Sequence, residues 1–496
     1  MHRALCLEEV LQNVLEEVDF SALPLIARTC QRFFQPAAGL LYRDMDTIRF
    51  ARLIEPILAL CEEQSDAENV SLSVITDNPA WKRLSVYSIC VRSLTLLFYL
   101  EDPIERHLST LVEILQKSNP TFSIFPRLRA LVYITQRSPH LRSVTGFLAP
   151  SLEGFQLLLH DTEFQPTSIV HWTTRFRVQH IRELDRVLLR VRERCPGLKQ
   201  LALEFPYYPD AQHQDTLVRI ISSLDGLVSL RCGHPGDGSR LLTAISRLPN
   251  LCKLALGLED NELNEIVPIE YGGPGEALRF TMLRSLTLSS TPAVATDVIT
   301  KLNLDLRELI LRSGGESFDL QDIHRFIAAA GGHTALSRFH VRLYEASRSG
   351  PPLSWSAMAP LLGCRQMKHF IFNWWSSAAL ELNDQHIADM AAAWPNLRQF
   401  SLSWSLKRER MGGLVDETAV TFDSAVALAI HCRALQELRL AQLIPATTKD
   451  LSGIEPALQH IEYVVDYLMG HVYDSDSLVT TLWPNAETIY FDMQTG

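Results

Sequence analysis

The sequence is poor in cysteine and has no long uncharged hydrophobic run. Nine cysteines are scattered over 496 residues, and no two of them form a Cys-x-x-Cys pair. This pattern supports neither a zinc or redox motif nor a disulfide framework. No stretch reaches about 18 apolar residues without a charge, so no membrane-spanning helix is expected. Glu8 and Glu9 stand where a signal peptide needs its apolar segment, which favours a reducing cytoplasmic or nuclear location.

A positive charge balance and the short motifs of catalysis are also missing. The net charge is −11, whereas a dedicated nucleic-acid binder usually carries a basic face, so no nucleic acid is expected as a partner. The sequence contains no Gly-Lys-Ser/Thr phosphate loop, no His-Glu-x-x-His and no Gly-x-Ser-x-Gly. We therefore expect no catalytic residue, no metal and no cofactor, and a protein that is not an enzyme.

The first 45 residues have the pattern of short amphipathic helices. Apolar residues recur at the spacing of one helix face at Leu7, Val10, Leu11, Val14, Leu15 and Val18. Ser21 is the predicted N-cap of a second helix with Pro24 in its first turn, and Pro36 is predicted to open a third. Three short helices bury little surface, so the module must pack either on the rest of the chain, as a cap, or on another protein.

One phrase recurs through the remainder of the chain. It is a cysteine or proline followed by Leu-x-x-Leu-x-Leu, in which Phe, Met, Ile or Val can replace a leucine. The strong copies lie at 195–203, 248–256, 283–288, 306–311, 336–341, 364–372, 394–402 and 432–440. Weaker copies lie at 128–132, 227–230 and 484–491, and residues 91–96 are a possible first copy. Between Leu201 and Phe400 the spacing is mostly about 23–32 residues, near the period of leucine-rich repeats.

The pattern around each copy predicts a repeating strand and helix. The two leucines of x-Leu-x-Leu-x point to one side of a strand, into the core. Helix-like segments precede the copies at 241–248, 323–330, 387–394 and 426–432. The predicted fold class is therefore α/β, a leucine-rich-repeat solenoid with a curved parallel sheet and outer helices. Cys195, Cys364 and Cys432 stand at helix ends just before strands, where we expect buried structural thiols.

The N-terminal segment resembles an F-box. The resemblance is carried by 6–11, 14–15, 18–20, Leu23, 26–27, 30–33 and 40–42, with Leu7 in place of the family's proline and Thr29 in place of its valine. The cysteine-containing repeat is similar to that of F-box proteins with leucine-rich repeats, a large fungal group in particular. The resemblance implies an all-α F-box-like module at 1–45, a linker or first irregular repeats at 46–125, and the solenoid at 126–496.

The same resemblance implies a partner for the module. An F-box docks a Skp-type adaptor and, through it, a cullin. The residues that it assigns to adaptor contact are Leu7, Val10, Leu11, Val14, Leu15, Phe20, Ile26, Cys30 and Phe33.

Strand positions between the inward leucines face outward and form the binding surface expected of a solenoid. A close group in the middle repeats consists of Arg312, Arg338, His340 and Arg342. Arginine forks suit carboxylates and phosphates, so this group is a candidate site for an acidic or phosphorylated target segment. The alternative is a solvated charged face balanced by Glu308 and Glu437.

Other residues are weaker candidates for target contact. Asn373 and Arg439 occupy further outward positions, and Trp374 and Trp404 lie on adjacent repeats as candidate aromatic contacts. The alternative for the tryptophans is a packed loop. The arginine-rich segment at 180–195 is interpreted as a solvated helix face, with nucleic-acid binding as the alternative.

The expected function is that of a non-enzymatic, substrate-recruiting adaptor subunit of a Skp–cullin–F-box ubiquitin ligase, whose solenoid binds an unknown target protein. The alternative is a stand-alone leucine-rich-repeat binding or inhibitor scaffold, in which the N-terminal helices only cap the solenoid.

Overall fold

Short parallel strands alternate with helices in a computed structural model of the chain. The structure describes residues 8–63, 72–98, 103–135, 138–159, 174–205, 211–233, 238–258, 280–302, 304–314, 318–344, 353–375, 380–404, 420–440, 463–466 and 489–491. The chain divides into two compact units, Met1–Leu251 and Cys252–Gly496.

In the unit Met1–Leu251, the strands pair in parallel and in chain order. They are β1 (Asp44–Met45), β2 (Ser93–Phe98), β3 (Ala130–Thr135), β4 (Gly154–Leu159), β5 (Gln200–Glu204) and β6 (Ser229–Cys232). The helices are α1 (Glu8–Glu16), α2 (Leu23–Thr29), α3 (Gln31–Leu41), α4 (Thr47–Glu63), α5 (Leu72–Asp77), α6 (Pro79–Ser88), α7 (Pro103–Ser118), α8 (Thr174–Arg194), α9 (Ala211–Ile221) and α10 (Gly238–Ile245). Phe20–Ala22 and Ser138–Gly146 are 3-10 helices.

The unit Cys252–Gly496 continues the same alternation. Its strands are β7 (Lys253–Gly257), β8 (Ser285–Ser289), β9 (Glu308–Gly314), β10 (Arg338–Tyr344), β11 (Leu353–Ser354), β12 (His369–Trp375), β13 (Leu380–Glu381), β14 (Gln399–Trp404), β15 (Glu437–Leu440), β16 (Tyr463–Asp466) and β17 (Ile489–Phe491). Strands β11 and β13 pair with each other, and the others form one parallel sheet. The helices are α11 (Pro292–Lys301), α12 (Leu320–Gly331), α13 (Trp355–Met358), α14 (Asp384–Ala393) and α15 (Phe422–His431), with a 3-10 helix at Ala359–Gly363.

Inward strand residues at the same register stack from repeat to repeat. In the second unit, Phe339 pairs with Phe370 and Phe370 with Phe400 in the strand register. Their rings stack at centroid distances of 6.0 Å and 5.3 Å. All three side chains are fully buried. The leucine positions of the phrase are thus filled by an aromatic column, which ties each repeat to the next.

The predicted cysteines are buried thiols that contact the preceding repeat. Cys195, Cys364 and Cys432 are free and fully buried. The Cys364 Sγ lies 3.5 Å from the carbonyl oxygen of His333, just after α12. Burial raises the pKa of Cys195 to about 12, of Cys364 to about 11 and of Cys432 to about 12. The prediction of structural thiols is therefore confirmed.

The N-terminal helices differ from the sequence prediction in their boundaries. The side chain of Asp19 accepts a hydrogen bond from the Ser21 amide and caps a 3-10 turn, so Ser21 is not the N-cap of the second helix. The third helix begins at Gln31, because Cys30 is extended and separates it from α2. Pro36 therefore lies inside α3 and does not open it.

The repeat pattern is confirmed by strands at every strong copy of the phrase and at the weaker ones. The structure also contains β4, which the sequence analysis did not assign, and β2 within the predicted linker. The 126–496 boundary stays a prediction, although β1 already pairs with β2 in the sheet. No described helix is long and apolar enough to cross a membrane.

Candidate functional site

The N-terminal helices enclose a small core of their own. It consists of the buried Leu11, Leu15, Leu23 and Ala37, with half-buried side chains around them that include Ile26 and Phe33. The sequence analysis placed Leu11 and Leu15 at the adaptor contact. Both point into this core and are almost fully buried, so they hold the helices together and offer no surface to a partner. The prediction that Leu11 and Leu15 contact the adaptor directly is therefore wrong.

Other apolar residues of the module face outward. Val14 and Phe20 are each 47% exposed, and Leu25 is 66% exposed. Val10 and Cys30 are half-buried, and Leu7 lies outside the described residues. Leu25 was missing from the predicted set, although its place off the apolar stripe of α2 was the signal that it faces solvent.

One side of the module packs on the following helices of the same unit. The ring of Tyr42 stacks on that of Tyr87 in α6 at a centroid distance of 4.3 Å. The guanidinium carbon of Arg49 lies 4.9 Å from the centroid of the Phe20 ring, a cation–π contact. The module is therefore partly a cap on the first repeats, as one of the two alternatives predicted.

The second candidate surface is the outward face of strands β9, β10 and β12. Arg342 is the register partner of Arg312 on one side and of Asn373 on the other. Both arginines are exposed, and no ion pair to a described residue is recorded for either side chain. Adjacent parallel strands lie about 4.8 Å apart, so two positive charges with no ion-pair partner among the described residues lie side by side here.

The remaining arginines of this face are partly neutralised. The Arg338 Nη1 lies 2.8 Å from Oε1 of Glu308, and Oε2 of the same carboxylate accepts a hydrogen bond of 2.6 Å from Ser285. Burial acts to raise the pKa of Glu308, but the hydrogen bonds from Ser285 and Arg338 outweigh it and lower that pKa. Arg439 is likewise paired with Glu437 at 2.6 Å. The alternative of a balanced charged face therefore holds for these two arginines, whereas among the described residues no ion pair balances Arg312 or Arg342.

His340 lies between these charges but is not a surface group. Its side chain is only 9% exposed, between the register partners Ile310 and Ile371. Burial, followed by the charges of Arg342, Arg312 and Arg338, lowers the pKa of His340 to about 4. The prediction that His340 contacts the target is therefore wrong. His340 is a packed residue that is neutral at pH 7.

Trp374, which was predicted to lie on the surface, lies in the core. Strand β12 runs on to Trp375, so the period of two turns Phe370, Phe372 and Trp374 inward. Trp374 is fully buried, and its ring centroid lies 6.3 Å from that of Phe372. The predicted target contact through Trp374 is therefore wrong.

Asn373 and Trp404, two other candidates for target contact, lie on strands β12 and β14. Asn373 faces outward and accepts a hydrogen bond of 2.8 Å from Ser403. Trp404 is the register partner of Trp374, and its side chain lies outside the described residues.

The arginine-rich helix α8 serves the packing of its own unit. Glu183 binds Arg142 through two oxygens at 2.9 Å and 3.1 Å and also pairs with Arg186 at 2.6 Å. Arg194 is buried and donates to the carbonyl oxygens of Thr145 and Thr121. These arginines are therefore committed to internal contacts.

The strand and helix repeats define the chain as an α/β leucine-rich-repeat solenoid. No protein-family model matches the sequence, and no curated protein matches it. Solved structures that it resembles include a complex of Rad7 and Elc1 in yeast, with 12% identity, a TM-score of 0.39, and coverage of 94% of this chain and 93% of that one. Another is a complex of TLR13 with ssRNA13, with 13% identity, a TM-score of 0.31, and coverage of 81% and 58%. TM-scores this low assign neither a function nor a partner to the chain.

Proposed function

We propose that the chain is a non-enzymatic, substrate-recruiting subunit of a Skp–cullin–F-box ubiquitin ligase. The observation that carries the proposal is the pairing of an F-box-like helical module with a repeat array. The helices would dock a Skp-type adaptor and, through it, a cullin. The strands would hold a target protein near the ubiquitin-charged enzyme, so the contribution to the reaction is proximity.

The exposed side chains of the module support the docking role. A module whose buried core is only Leu11, Leu15, Leu23 and Ala37 gains stability from any partner that covers more apolar surface. Val14, Phe20 and Leu25 offer such surface. Burial of a large apolar side chain is worth about 1.5–3 kcal/mol, enough for a few such residues to dominate an interface.

Arg312 and Arg342, which have no ion-pair partner in the part of the chain that the structure describes, support the recruiting role. Two guanidinium groups on adjacent strands match the spacing of carboxylates or phosphates along a peptide. The proposed target segment is therefore acidic or phosphorylated, and Asn373 beside Arg342 can add a hydrogen bond.

A stand-alone binding scaffold is the second candidate, and the stacking of Tyr42 on Tyr87 favours it. In that case, the helices only close the end of the repeat array. The two candidates make opposite predictions about an adaptor, since a cap needs no partner.

The proposal is tested by binding of the full chain to a purified Skp-type adaptor. The informative variant is Val14→Asp combined with Leu25→Asp, because both side chains are exposed and their loss leaves the module core intact. Val74→Asp with Ile430→Asp is the control, since these apolar residues are also exposed, at 42% and 45%, and lie outside the module. Selective loss of adaptor binding in the first variant supports the ligase role.

A further inference from the structure

Four arginines line one cavity between the N-terminal helices and the first strands of the unit Met1–Leu251. The cavity has a volume of about 380 Å³, and its arginines are Arg43, Arg92, Arg127 and Arg129. Helix α3 forms the opposite wall through residues that include Phe34 and Gly39. Volumes of about 300–1,000 Å³ are typical of small-molecule sites.

The parallel register places three of these arginines in a row. Arg43, Arg92 and Arg129 each precede a strand, namely β1, β2 and β3. The Arg92 amide donates to the carbonyl of Arg43 at 2.8 Å, and the Arg129 amide to that of Arg92 at 2.7 Å. Since neighbouring strands lie about 4.8 Å apart, the three side chains leave the backbone at regular intervals along one sheet edge.

Arg127 joins this row from the preceding turn. The Arg92 Nη1 donates to the carbonyl oxygen of Arg127 at 3.3 Å and to that of Ile89 at 3.0 Å, which fixes the Arg92 guanidinium at the cavity. Arg92 is half-buried, whereas Arg127 and Arg129 are exposed.

Negative charge around the cavity is sparse. The described residues that line it include no Asp or Glu. Glu16 approaches Arg43, but only at 3.9 Å, and Glu153 near Arg129 is paired with Lys199 at 2.8 Å. No ion pair of Arg92, Arg127 or Arg129 with a described residue is recorded.

The surroundings of Arg92 disfavour its positive charge, which a bound anion would stabilise. Burial lowers the pKa of Arg92 below its ordinary value, and the charges of Arg127, Arg129 and Arg43 lower it further. An anion in the cavity would remove this repulsion and supply acceptors for several guanidinium groups at once.

We propose that this cavity binds a small molecule that carries several phosphate groups. Guanidinium forks match phosphate oxygens in pairs, and a row of them matches successive phosphates better than a single monoanion. Phe34 and Ile89 form an apolar part of the lining that can contact the part of the ligand without phosphates. The bound ligand would link helix α3 to the starts of β1–β3. No residue that lines this site belongs to either proposed protein-binding surface.

The test is calorimetric titration of the full chain with sodium tripolyphosphate at physiological salt. Arg127→Gln with Arg129→Gln removes two cavity charges whose side chains are exposed, so folding is preserved. Arg365→Gln with Arg433→Gln removes the same charge at two exposed positions of the second unit that belong to neither proposed binding surface. Loss of charge-assisted hydrogen bonds to the anion is expected to weaken binding roughly tenfold or more.

We expect saturable binding that weakens at least about tenfold in the first double variant and by less than about twofold in the second. Three results would overturn the proposal. These are no binding to the unaltered chain, equal weakening in both double variants, and binding of an oligoglutamate peptide without binding of tripolyphosphate. None of these variants alters Val14 or Leu25, so failure here is distinguishable from failure of adaptor docking.

Discussion

The thiol of Cys432 lies 3.5 Å from the carbonyl oxygen of Trp394, the C-cap residue of helix α14 in the preceding repeat. It also lies 3.6 Å from the carbonyl oxygen of Ala391. The last carbonyls of a helix have no partner within the helix, so the cysteine supplies a donor where the fold needs one. Cys364 stands in the same relation to the end of α12.

This relation predicts that Cys432→Ala destabilises the protein by about 1–3 kcal/mol, because it leaves a small cavity and removes a buried donor. Cys30→Ala is the control: Cys30 is half-buried and makes no capping hydrogen bond through its side chain. The urea midpoints of the two variants measure the difference. Equal shifts in both would contradict a specific role for the Cys432 thiol.

We expect mild acidification to destabilise the protein, because the pKa of His340 is lowered in the folded chain. Its pKa is about 4 in the folded chain and about 6.5 when unfolded, so the unfolded chain binds more protons between these values. The stabilising contribution of neutral His340 is complete above about pH 6.5 and falls as the pH drops towards 4. At pH 5 the loss is at most about 2 kcal/mol.

The variant His340→Leu isolates this effect, since Ile310 and Ile371 flank the position. We expect the difference in Tm between pH 7 and pH 5 to shrink in the variant. His324→Leu is the control, because it replaces a histidine on α12 with the same side chain. An unchanged difference in the His340 variant would show that this imidazole is not shielded from protons.

Arg312 and Arg342 predict charge-specific capture of peptides. Reversal of both charges to glutamate should weaken binding of an acidic phosphoserine peptide at least about tenfold, because two fork contacts become repulsive. Fluorescence anisotropy with a labelled peptide measures this. Arg365→Glu with Arg433→Glu changes the net charge equally at exposed positions away from this pair. Similar weakening in both variants would indicate only a general effect of net charge.

Gly39 predicts a gain in stability. It lies inside α3, and a Cβ added there would meet nothing within 4 Å. Glycine in a helix interior costs about 0.5–1 kcal/mol relative to alanine, so Gly39→Ala should stabilise the protein by about that amount. Thermal unfolding measures it. Gly331→Ala is the contrasting variant, because its Cβ would lie 2.7 Å from the carbonyl oxygen of Pro360 and should destabilise.

The repeats were predictable because each strand needs two inward apolar residues at a fixed distance after a helix end. Strand β4 was missed although Leu152, Phe155 and Leu157 keep the spacing of the phrase; it follows the 3-10 helix Ser138–Gly146 and not an α-helix. Trp374 was misplaced because the sequence does not show how far a strand continues. His340 was misjudged since alternation gives the face of a residue but not how closely its neighbours cover it.

The arginine cavity could not be predicted from the sequence for a different reason. Arg43, Arg92 and Arg129 are far apart in the chain, and each alone is an ordinary charged residue before a strand. Only the parallel register brings them into one row. Likewise, the apolar stripe of the N-terminal helices identified a buried face but did not distinguish the core residue Leu11 from the exposed Val14.

A direct titration of the full chain with a Skp-type adaptor tests the proposal that the N-terminal helices dock this adaptor. We expect a complex of one chain with one adaptor, and we expect Val14→Asp with Leu25→Asp to weaken it at least about tenfold without lowering Tm. The absence of any complex with the unaltered chain would contradict the claim and leave the helices as a cap on the repeats.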